Sequence, residues 1–375
     1  MPGIPQRGAA YYTRAVRRSG GAAHATDAMR LDRLLHTALG LLSMLAVAVA
    51  AAAERLPALG ADLATTTVSG FSSGGYMAVQ MHLAHSATVR GAGVLAGGPY
   101  YCAQGSVWTA YHNCGTPAAW APLPDSLRLA ATAEALAADG LIDPTSNLAR
   151  SRVWLFSGTR DGTVSREVID ALRGFYSRFV PEASIAYVRD IPAGHAMVTL
   201  DAGGACATSA APFINDCDYD AAGKLLEHLA GPLKSPPAVL SGRRVEFDQR
   251  EFAGGDAYAI GMADSGYAYI PRACDQPRCG VHVAFHGCLQ NAAAVGERFV
   301  RDAGYNRWAD ANRLVVLYPQ TIARGGWGGS LWQWSFVVNP RGCWDWWGYS
   351  GMQYHTRKGA QIRAVRAMLD RLAER

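Results

Sequence analysis

Short apolar runs typical of strands alternate with helical patterns along most of the chain. The predicted strands are residues 66–70, 91–95, 153–157, 185–188, 281–286 and 314–318. The predicted helices are residues 75–85, 165–179, 292–312 with a break, and 356–373. Because strands and helices alternate, the pattern predicts an α/β fold with a mainly parallel sheet flanked by helices.

One stretch in the middle of the chain has the composition of a linker. Residues 230–242 are rich in Pro, Gly and Ser, which is typical of a linker or a long surface crossing. The residues after it nevertheless include a strand and a loop that would complete the first half. The sequence therefore predicts that residues 54–375 form a single domain with an excursion, and not two independent domains.

The beginning of the chain has a different pattern. Residues 34–53 are apolar, follow Arg30 and Arg33, and end in small residues, which is the order found in secretory signal peptides. Residues 1–53 are therefore predicted to be an N-terminal extension and signal peptide, with cleavage near Ala53. A retained membrane anchor is the alternative, because roughly 20 apolar residues can span a bilayer.

The composition is typical of a globular protein, since 50% of the 375 residues are apolar and 17% are charged. The formal net charge is +5, but residues 1–53 hold six arginines against two aspartates, so the remaining chain carries only +1. Nucleic-acid binding by phosphate neutralisation requires a basic surface. The near-neutral body therefore argues against a nucleic-acid partner.

All eight cysteines follow the predicted signal. An even number of cysteines in an exported chain is typical of disulfides. Spacing suggests three pairs and leaves a fourth, although spacing alone does not establish connectivity. The suggested pairs are Cys102–Cys114, Cys206–Cys217, Cys274–Cys279 and Cys288–Cys343.

A zinc site is the alternative for two of these cysteines. Cys274, Cys279, His282 and His286 have a loosely finger-like order. The two histidines lie in a strand pattern, however, and paired thiols of exported proteins more often oxidise. The disulfide is therefore favoured, and no metal site is predicted.

The strongest local signal is the sequence GFSSGG at residues 70–75. It lies between a β-rich stretch and an apolar helix, which is the context of the G-x-S-x-G turn that presents a nucleophilic serine. Ser72 has glycine two positions away on each side, whereas Ser73 has Phe71 two positions before it. Ser72 is therefore the predicted nucleophile. The alternatives are a glycine-rich turn with an incidental serine and a phosphate-binding loop, although the P-loop lysine is missing.

A serine nucleophile needs a base and an orienting carboxylate. Asp161 lies in the turn after the strand at 153–157, and His195 lies in a loop after the strand at 185–188. The order Ser, Asp, His is that of α/β-hydrolases, whose sites lie at the carboxyl ends of strands. The alternatives are a turn-forming aspartate and a loop histidine without function. Histidines on helical patterns are poorer bases: His82, His85 and His228.

A further motif ends the strand at 281–286. His286-Gly287 resembles the oxyanion loop of α/β-hydrolases, with an ordinary strand-end turn as the alternative. That loop normally precedes the nucleophile, but here it follows the whole Ser, Asp, His series, so the sequence predicts a circularly permuted α/β-hydrolase fold with its ends close together. The backbone N–H groups of Ser73 and Cys288 would then stabilise an oxyanion.

Several of these segments together resemble one family. They are GFSSGGYMAVQ, SGTRDGTV, PAGHAM, FHGCLQ, LYPQ and GCWDWWGY. From about Thr66 to the C-terminus, the chain resembles the secreted single-domain poly(3-hydroxybutyrate) depolymerases, which have a circularly permuted α/β-hydrolase fold. The resemblance implies a triad of Ser72, Asp161 and His195, with Ser73 and Cys288 as the oxyanion donors.

Six of the ten tryptophans lie in residues 327–349. Aromatic side chains beside a hydrolase cleft can hold an apolar chain or a sugar ring, although most tryptophans pack in cores or loops. Trp344, Trp346 and Trp347 border Cys343 and are the predicted substrate-binding residues.

The sequence therefore predicts a secreted serine esterase, extracellular or periplasmic, that hydrolyses poly(3-hydroxybutyrate) or related short-chain hydroxyalkanoate polymers or oligomers through an acyl-enzyme. No metal, organic cofactor, nucleic acid or stable membrane partner is expected. One alternative is a feruloyl or acetyl-xylan esterase, because related folds share these motifs. The other is a non-catalytic binding protein on a hydrolase scaffold.

Overall fold

A mainly parallel eight-stranded sheet is the central element of the computed structural model, which describes residues 53–328 and 335–375. In chain order, the strands are β1 Thr67–Phe71, β2 Gly91–Leu95, β3 Arg152–Phe156, β4 Ile185–Val188, β5 Met197–Thr199, β6 Gly204–Ala205, β7 Ile214–Asp216, β8 Arg243–Asp248, β9 Ser265–Ile270, β10 Gly280–Phe285, β11 Leu314–Tyr318, β12 Arg324–Gly328 and β13 Ser335–Asn339. The predicted signal falls outside these residues apart from Ala53. Within the described ranges, no helix is long and apolar enough to cross a membrane.

The order of strands in the sheet is β4-β3-β2-β1-β10-β11-β9-β8. All neighbouring pairs are parallel except those of β9, which runs antiparallel to both β11 and β8. The predicted α/β class is therefore confirmed. The sequence pattern missed β8 and β9. In the edge strand β8 only Val245 and Phe247 are buried, so its apolar pattern is weak.

Helices cover both faces of the sheet, as expected for strands joined by crossover connections. In chain order, the α-helices of the described residues are α1 Ser73–Ala84, α2 Val107–Asn113, α3 Ser126–Ala138, α4 Arg166–Tyr176, α5 Ala221–Ala230, α6 Ala292–Val295, α7 Arg298–Asp302, α8 Tyr305–Ala311 and α9 Ala360–Ala373. The break predicted within 292–312 is present twice, because Gly296 and Gly304 have left-handed φ values of 62° and 91°.

The chain order is permuted in the way that the motifs predict. The early strand β1 lies between β2 and the late strand β10. The segment before β1 is bonded to the end of α9, since the N–H groups of Leu59 and Ala61 donate to the carbonyl of Leu372 at 3.2 and 2.9 Å. The last helix therefore ends where the first strand begins.

The eight cysteines form the four disulfides that their spacing suggested. The zinc alternative does not hold, because Cys274 and Cys279 are bonded to each other. His282 is instead buried between strands, and its ring accepts or donates hydrogen bonds to the hydroxyls of Thr67 and Ser69 at 2.8 and 2.7 Å. The two cysteine sulfurs and the His282 ring are therefore already bonded and are not available as metal ligands.

The sheet brings distant parts of the chain to one edge. Segments on both sides of the linker-like stretch 230–242 contribute strands to it. Gly70 of β1 aligns with Phe285 of β10, and Phe71 aligns with Leu95 of β2. Loops that follow parallel strands in this register leave the sheet at the same carboxyl edge, which is where α/β proteins place their sites.

Candidate active site

The turn between β1 and α1 holds Ser72 in an uncommon backbone conformation, with φ 55° and ψ −124°. Such a conformation costs roughly 1–3 kcal/mol for a residue with a side chain. The turn is tight, because a Cβ atom on Gly70 would lie under 3.0 Å from the carbonyl of Gly74. The two glycines therefore allow the chain to fold around Ser72, as the G-x-S-x-G pattern predicts.

Three predicted side chains form a continuous chain of hydrogen bonds. The Ser72 Oγ lies 2.9 Å from His195 Nε2, and His195 Nδ1 lies 2.8 Å from Asp161 Oδ2. The side chains of His195 and Asp161 are only 8% and 2% exposed. This is the geometry of a nucleophile, a base and an orienting carboxylate.

Asp161 also forms a turn, which was the alternative prediction for it. Its Oδ1 accepts hydrogen bonds from the N–H groups of Thr163 and Val164 at 2.8 and 3.0 Å. Its Oδ2 remains free to face the imidazole of His195. The turn and the contact with the imidazole are therefore compatible, because they use different oxygens of one carboxylate.

The other candidate histidines lie away from Ser72. His82 is fully buried on α1, where its nitrogens contact the hydroxyls of Tyr176 and Ser151. Burial lowers the pKa of His82 to about 3. The ring of His228 on α5 contacts the carbonyl of Ser184, the residue before β4, at 3.0 Å.

Two residues that line the same cleft have backbone N–H groups without a protein partner among the described residues. Ser73 and Cys288 line it together with Ser72. In the part of the chain that the structure describes, no protein acceptor pairs with either N–H group. The neighbouring N–H of Gly287, by contrast, donates to Gln290 Oε1 at 2.8 Å. The two free donors are thus available for a negatively charged oxygen beside Ser72.

A cleft of about 380 Å³ opens over this site. Its walls come from the segment 110–116, the turn after Asp161, the loop after β10 and the tryptophan segment after β13. The larger apolar and aromatic lining residues are Tyr76, Tyr111, Val164, Phe213, Trp346 and Trp347. An apolar cleft with a few convergent polar groups is typical of a small-molecule or chain-binding site.

The predicted substrate tryptophans have different positions. Trp346 and Trp347 line the cleft. Trp344 is fully buried and packs against the rings of Phe285 and His286, with centroid distances of 4.9 and 5.7 Å. The prediction is wrong for Trp344, because its side chain points into the core. Trp332 and Trp334 lie outside the described residues.

Sequence reasoning missed Tyr76, which stacks on Trp346 at a centroid distance of 4.1 Å. Its hydroxyl donates to the carbonyl of Cys114. Tyr76 therefore links Trp346 to the loop closed by the Cys102–Cys114 disulfide. Tyr76 lies on α1, where every residue is buried. No periodicity in this helix distinguishes a cleft residue from a core residue.

Asp345 was also missed, although it is the fully buried carboxylate between the tryptophans. Its oxygens accept hydrogen bonds from the backbone N–H groups of Gly348, Tyr349 and Ser350 at 2.6, 3.0 and 2.7 Å. Burial raises the pKa of Asp345 above its ordinary value, and the hydrogen bonds oppose this rise. The carboxylate shapes the segment that places Trp346 and Trp347 beside the cleft.

Comparisons with known proteins agree on one group. The chain is 47% identical over 328 residues to the poly(3-hydroxybutyrate) depolymerase of Delftia acidovorans, covering 86% of this chain and 62% of that protein. It is 36% identical over 323 residues to the polyhydroxybutyrate depolymerase of Talaromyces funiculosus, covering 84% of this chain and 91% of that protein. The chain thus spans about three-fifths of the length of the Delftia relative. No protein-family model matches the chain.

Solved structures give the same result. The fold matches a polyhydroxybutyrate (PHB) depolymerase complexed with an R3HB trimer and the PHB depolymerase from Penicillium funiculosum, each with a TM-score of 0.76 and 33% identity. Each match covers 85% of this chain and 98% of the other. Since the likeness in sequence and in fold extends over most of its length, the chain belongs to the poly(3-hydroxybutyrate) depolymerase family.

Proposed function

We propose that this protein is a serine esterase that hydrolyses the ester bonds of poly(3-hydroxybutyrate) or of related short-chain hydroxyalkanoate polymers and oligomers. The observation that carries the proposal is the hydrogen-bonded series Ser72, His195 and Asp161 beneath an apolar cleft. Family membership supports the same activity.

In the first half of the proposed reaction, Ser72 Oγ attacks the ester carbonyl carbon and His195 Nε2 takes the serine proton. Asp161 holds the imidazole in orientation and stabilises its positive charge. The carbonyl oxygen becomes an oxyanion that the N–H groups of Ser73 and Cys288 stabilise. The ester C–O bond then breaks, and His195 returns the proton to the leaving alcohol.

In the second half, water replaces the alcohol. His195 takes a proton from the water, whose oxygen attacks the acyl carbon on Ser72 through the same oxyanion site. The acid product leaves when the bond to Ser72 Oγ breaks and His195 protonates the serine. The reaction needs no metal or organic cofactor, because the triad and two backbone donors supply every proton transfer and charge contact.

The proposed substrate follows from the cleft and the relatives. A hydroxybutyrate chain is uncharged and largely apolar between its ester groups, which suits walls formed by Tyr76, Phe213, Trp346 and Trp347. We assign Trp346 and Trp347 to substrate binding on this ground. The names of the two relatives, and the R3HB trimer bound in one of the solved structures, point to the same class of substrate.

We also propose that residues 54–375 form the catalytic domain of an exported protein. Four disulfides are typical of an oxidising compartment. The apolar stretch at residues 34–53 has the order of a secretory signal. Mass spectrometry of the protein recovered from outside the producing cell tests this, because a processed chain would begin near Glu54.

The substrate is tested by comparing three esters. We expect purified protein to release hydroxybutyrate from amorphous poly(3-hydroxybutyrate), with much slower turnover of methyl ferulate and acetylated xylan. Product release is measured by chromatography against a protein-free control. Activity confined to the two plant-derived esters would contradict the proposed substrate but not the mechanism, since the fold alone does not determine substrate.

The pH dependence of the reaction tests the assignment of His195 as the base. We expect kcat/KM for a soluble ester to fall as the pH is lowered, because a protonated imidazole cannot accept the proton of Ser72. Burial lowers the pKa of His82 to about 3 and that of His286 to about 4. These two rings therefore remain neutral down to about pH 5, so their protonation does not cause a fall in activity above that pH.

The folded fraction must be followed in the same experiment. Histidines of the unfolded chain take up protons below their ordinary pKa of about 6.5, whereas buried His82 and His286 do not. The free energy of unfolding therefore also decreases as the pH falls through this window. Activity that does not fall with decreasing pH while the protein stays folded would contradict the assignment of His195 as the base.

An exposed aromatic patch lies beside the cleft. We define it as Trp108, Tyr111 and Trp120, which are 62%, 57% and 66% exposed. Trp108 lies near Trp120, at a centroid distance of 6.2 Å, and Tyr111 also lines the cleft. Clustered exposed aromatic residues mark interaction sites on soluble proteins. The proposed polyester offers an apolar surface of this kind.

The aromatic patch is expected to matter for polymer but not for small esters. In the double variant Trp108→Ala/Trp120→Ala, we expect hydroxybutyrate release from polymer to fall by roughly tenfold, which corresponds to about 1.4 kcal/mol of lost surface contact. Hydrolysis of a soluble ester should be unchanged. Val239→Ala, at an 81% exposed valine in the linker-like stretch, is the control. Equal losses on both substrates would contradict a surface-binding role.

A further inference from the structure

The side chain of Gln290 connects two loops that both line the cleft. It is completely buried. Its Oε1 accepts a hydrogen bond from the Gly287 N–H at 2.8 Å. Its Nε2 donates to the carbonyls of Phe213 and Pro212 at 2.8 and 3.2 Å. One amide therefore spans the loop after β10 and a loop more than seventy residues earlier in the chain.

The earlier loop is the one that holds the base. The N–H of Met197, two residues after His195, donates to the same Phe213 carbonyl at 2.8 Å. The N–H of His195 itself donates to Ser209 Oγ at 2.8 Å. The segment 206–217, closed by a disulfide, thus holds the backbone of His195 in place, and Gln290 is bonded to this segment.

On its other side, Gln290 acts on the loop that carries Cys288. Both polar groups of the Gly287 backbone are occupied, the N–H by Gln290 and the carbonyl by the ring of His286 at 2.7 Å. The N–H of Leu289 donates to the carbonyl of Arg341 at 2.7 Å. Cys288 is therefore held on both sides, and its own N–H has no protein acceptor among the described residues.

We propose that Gln290 is a positioning residue that sets the separation between the Cys288 N–H and the His195 imidazole. The inference rests on the proposed function. Both groups act on one tetrahedral intermediate: the N–H donates a hydrogen bond to its oxyanion, and the imidazole accepts the proton of Ser72. Without the amide, the two loops lose their direct hydrogen-bonded link. Because only the transition state needs both groups in place, its free energy should rise more than that of the bound substrate.

The test compares variants of two buried glutamines, Gln290 and Gln249, which form matching hydrogen bonds. Gln249 is also completely buried. It also donates to two carbonyls, those of Ala263 and Gln320 at 2.7 and 3.0 Å, and it accepts from the Gln320 N–H at 2.9 Å. Gln249 does not line the cleft. Gln290→Met and Gln249→Met therefore remove the same interactions inside and outside the site.

For Gln290→Met, we expect kcat on p-nitrophenyl butyrate to fall by about 10- to 100-fold, with KM changed by less than about twofold. The affinity for a trifluoromethyl ketone, which forms a tetrahedral adduct with the serine, should fall in parallel. Gln249→Met should lose comparable thermal stability but keep kcat. If Gln290→Met does not fold, Gln290→Asn decides, since its shorter amide cannot reach both loops.

The outcomes separate this inference from the proposed function. Unchanged kcat in a folded Gln290 variant, or an equal loss in Gln249→Met, would overturn the positioning role while wild-type turnover stands. A loss confined to KM would also overturn it, because it would show an effect on substrate binding alone. Wild-type protein that neither hydrolyses esters nor reacts with a fluorophosphonate at Ser72 would instead overturn the proposed function itself.

Discussion

Replacing Ser72 by alanine is expected to lower kcat for ester hydrolysis by about a million-fold, the order of loss seen when a triad serine is removed. The physical reason is that no other oxygen lies in hydrogen-bond contact with His195 Nε2 among the described residues. The measurement is kcat on a soluble ester, together with hydroxybutyrate release from amorphous polymer. Reaction with a fluorophosphonate should add mass to the wild-type chain and not to the variant.

The control for this experiment is Ser86→Ala. Ser86 is a buried serine just beyond the other end of α1, and its hydroxyl donates to the carbonyl of Pro144. This variant loses a buried hydroxyl, as Ser72→Ala does, but it should keep the wild-type rate. Residual activity of Ser72→Ala within about tenfold of wild type would show that Ser72 is not the nucleophile.

Replacing Gly74 by alanine is expected to damage both stability and catalysis. A Cβ atom there would lie under 3.0 Å from the backbone carbonyls of Phe285 and His286, a distance that real Cβ atoms essentially never show. Because backbone rather than a flexible side chain must move, we expect a loss of about 3 kcal/mol in the free energy of unfolding. A shift of about 1 Å between the turn that holds Ser72 and the loop that carries Cys288 should lower kcat by about a hundredfold.

Denaturant titration and steady-state kinetics measure the two effects. Gly204→Ala is the matched control, because a Cβ atom there would make ordinary contacts of 3.4 and 3.6 Å with Thr208 and Asn215. Its free energy of unfolding should change by less than about 0.5 kcal/mol. If Gly74→Ala were as stable as this control, the first turn of α1 would not lie as close to the carbonyls of Phe285 and His286 as described.

The Gly74 prediction depends on the close approach of the segments that follow β1 and β10, which are about two hundred residues apart in the chain. Gly70 aligns with Phe285 across these neighbouring strands. The nucleophile follows one strand, and the proposed oxyanion donor Cys288 follows the other. Any change that separates the strands therefore acts on the two halves of the proposed site at once, which is why one methyl group at Gly74 should have so large an effect.

Much of the fold was predictable because its signals are local. The predicted strands at 91–95, 185–188 and 314–318 coincide with β2, β4 and β11. Each is a short apolar run, which indicates a strand without tertiary information. The close spacing of three cysteine pairs likewise suggested the disulfides, which the structure contains. Local pattern was insufficient for the edge strand β8, because three of its six residues are exposed and charged.

The sequence by itself determined the order of elements, the tight turn around Ser72 and the candidates Asp161 and His195, since each depends on a few adjacent residues. Only the tertiary structure decided which neighbouring aromatic residues face the cleft. Trp344 is buried while Trp346 and Trp347 line the cleft, because irregular backbone has no period that assigns side chains to faces. Gln290 had no local signal either, since its partners Pro212 and Phe213 become neighbours only on folding.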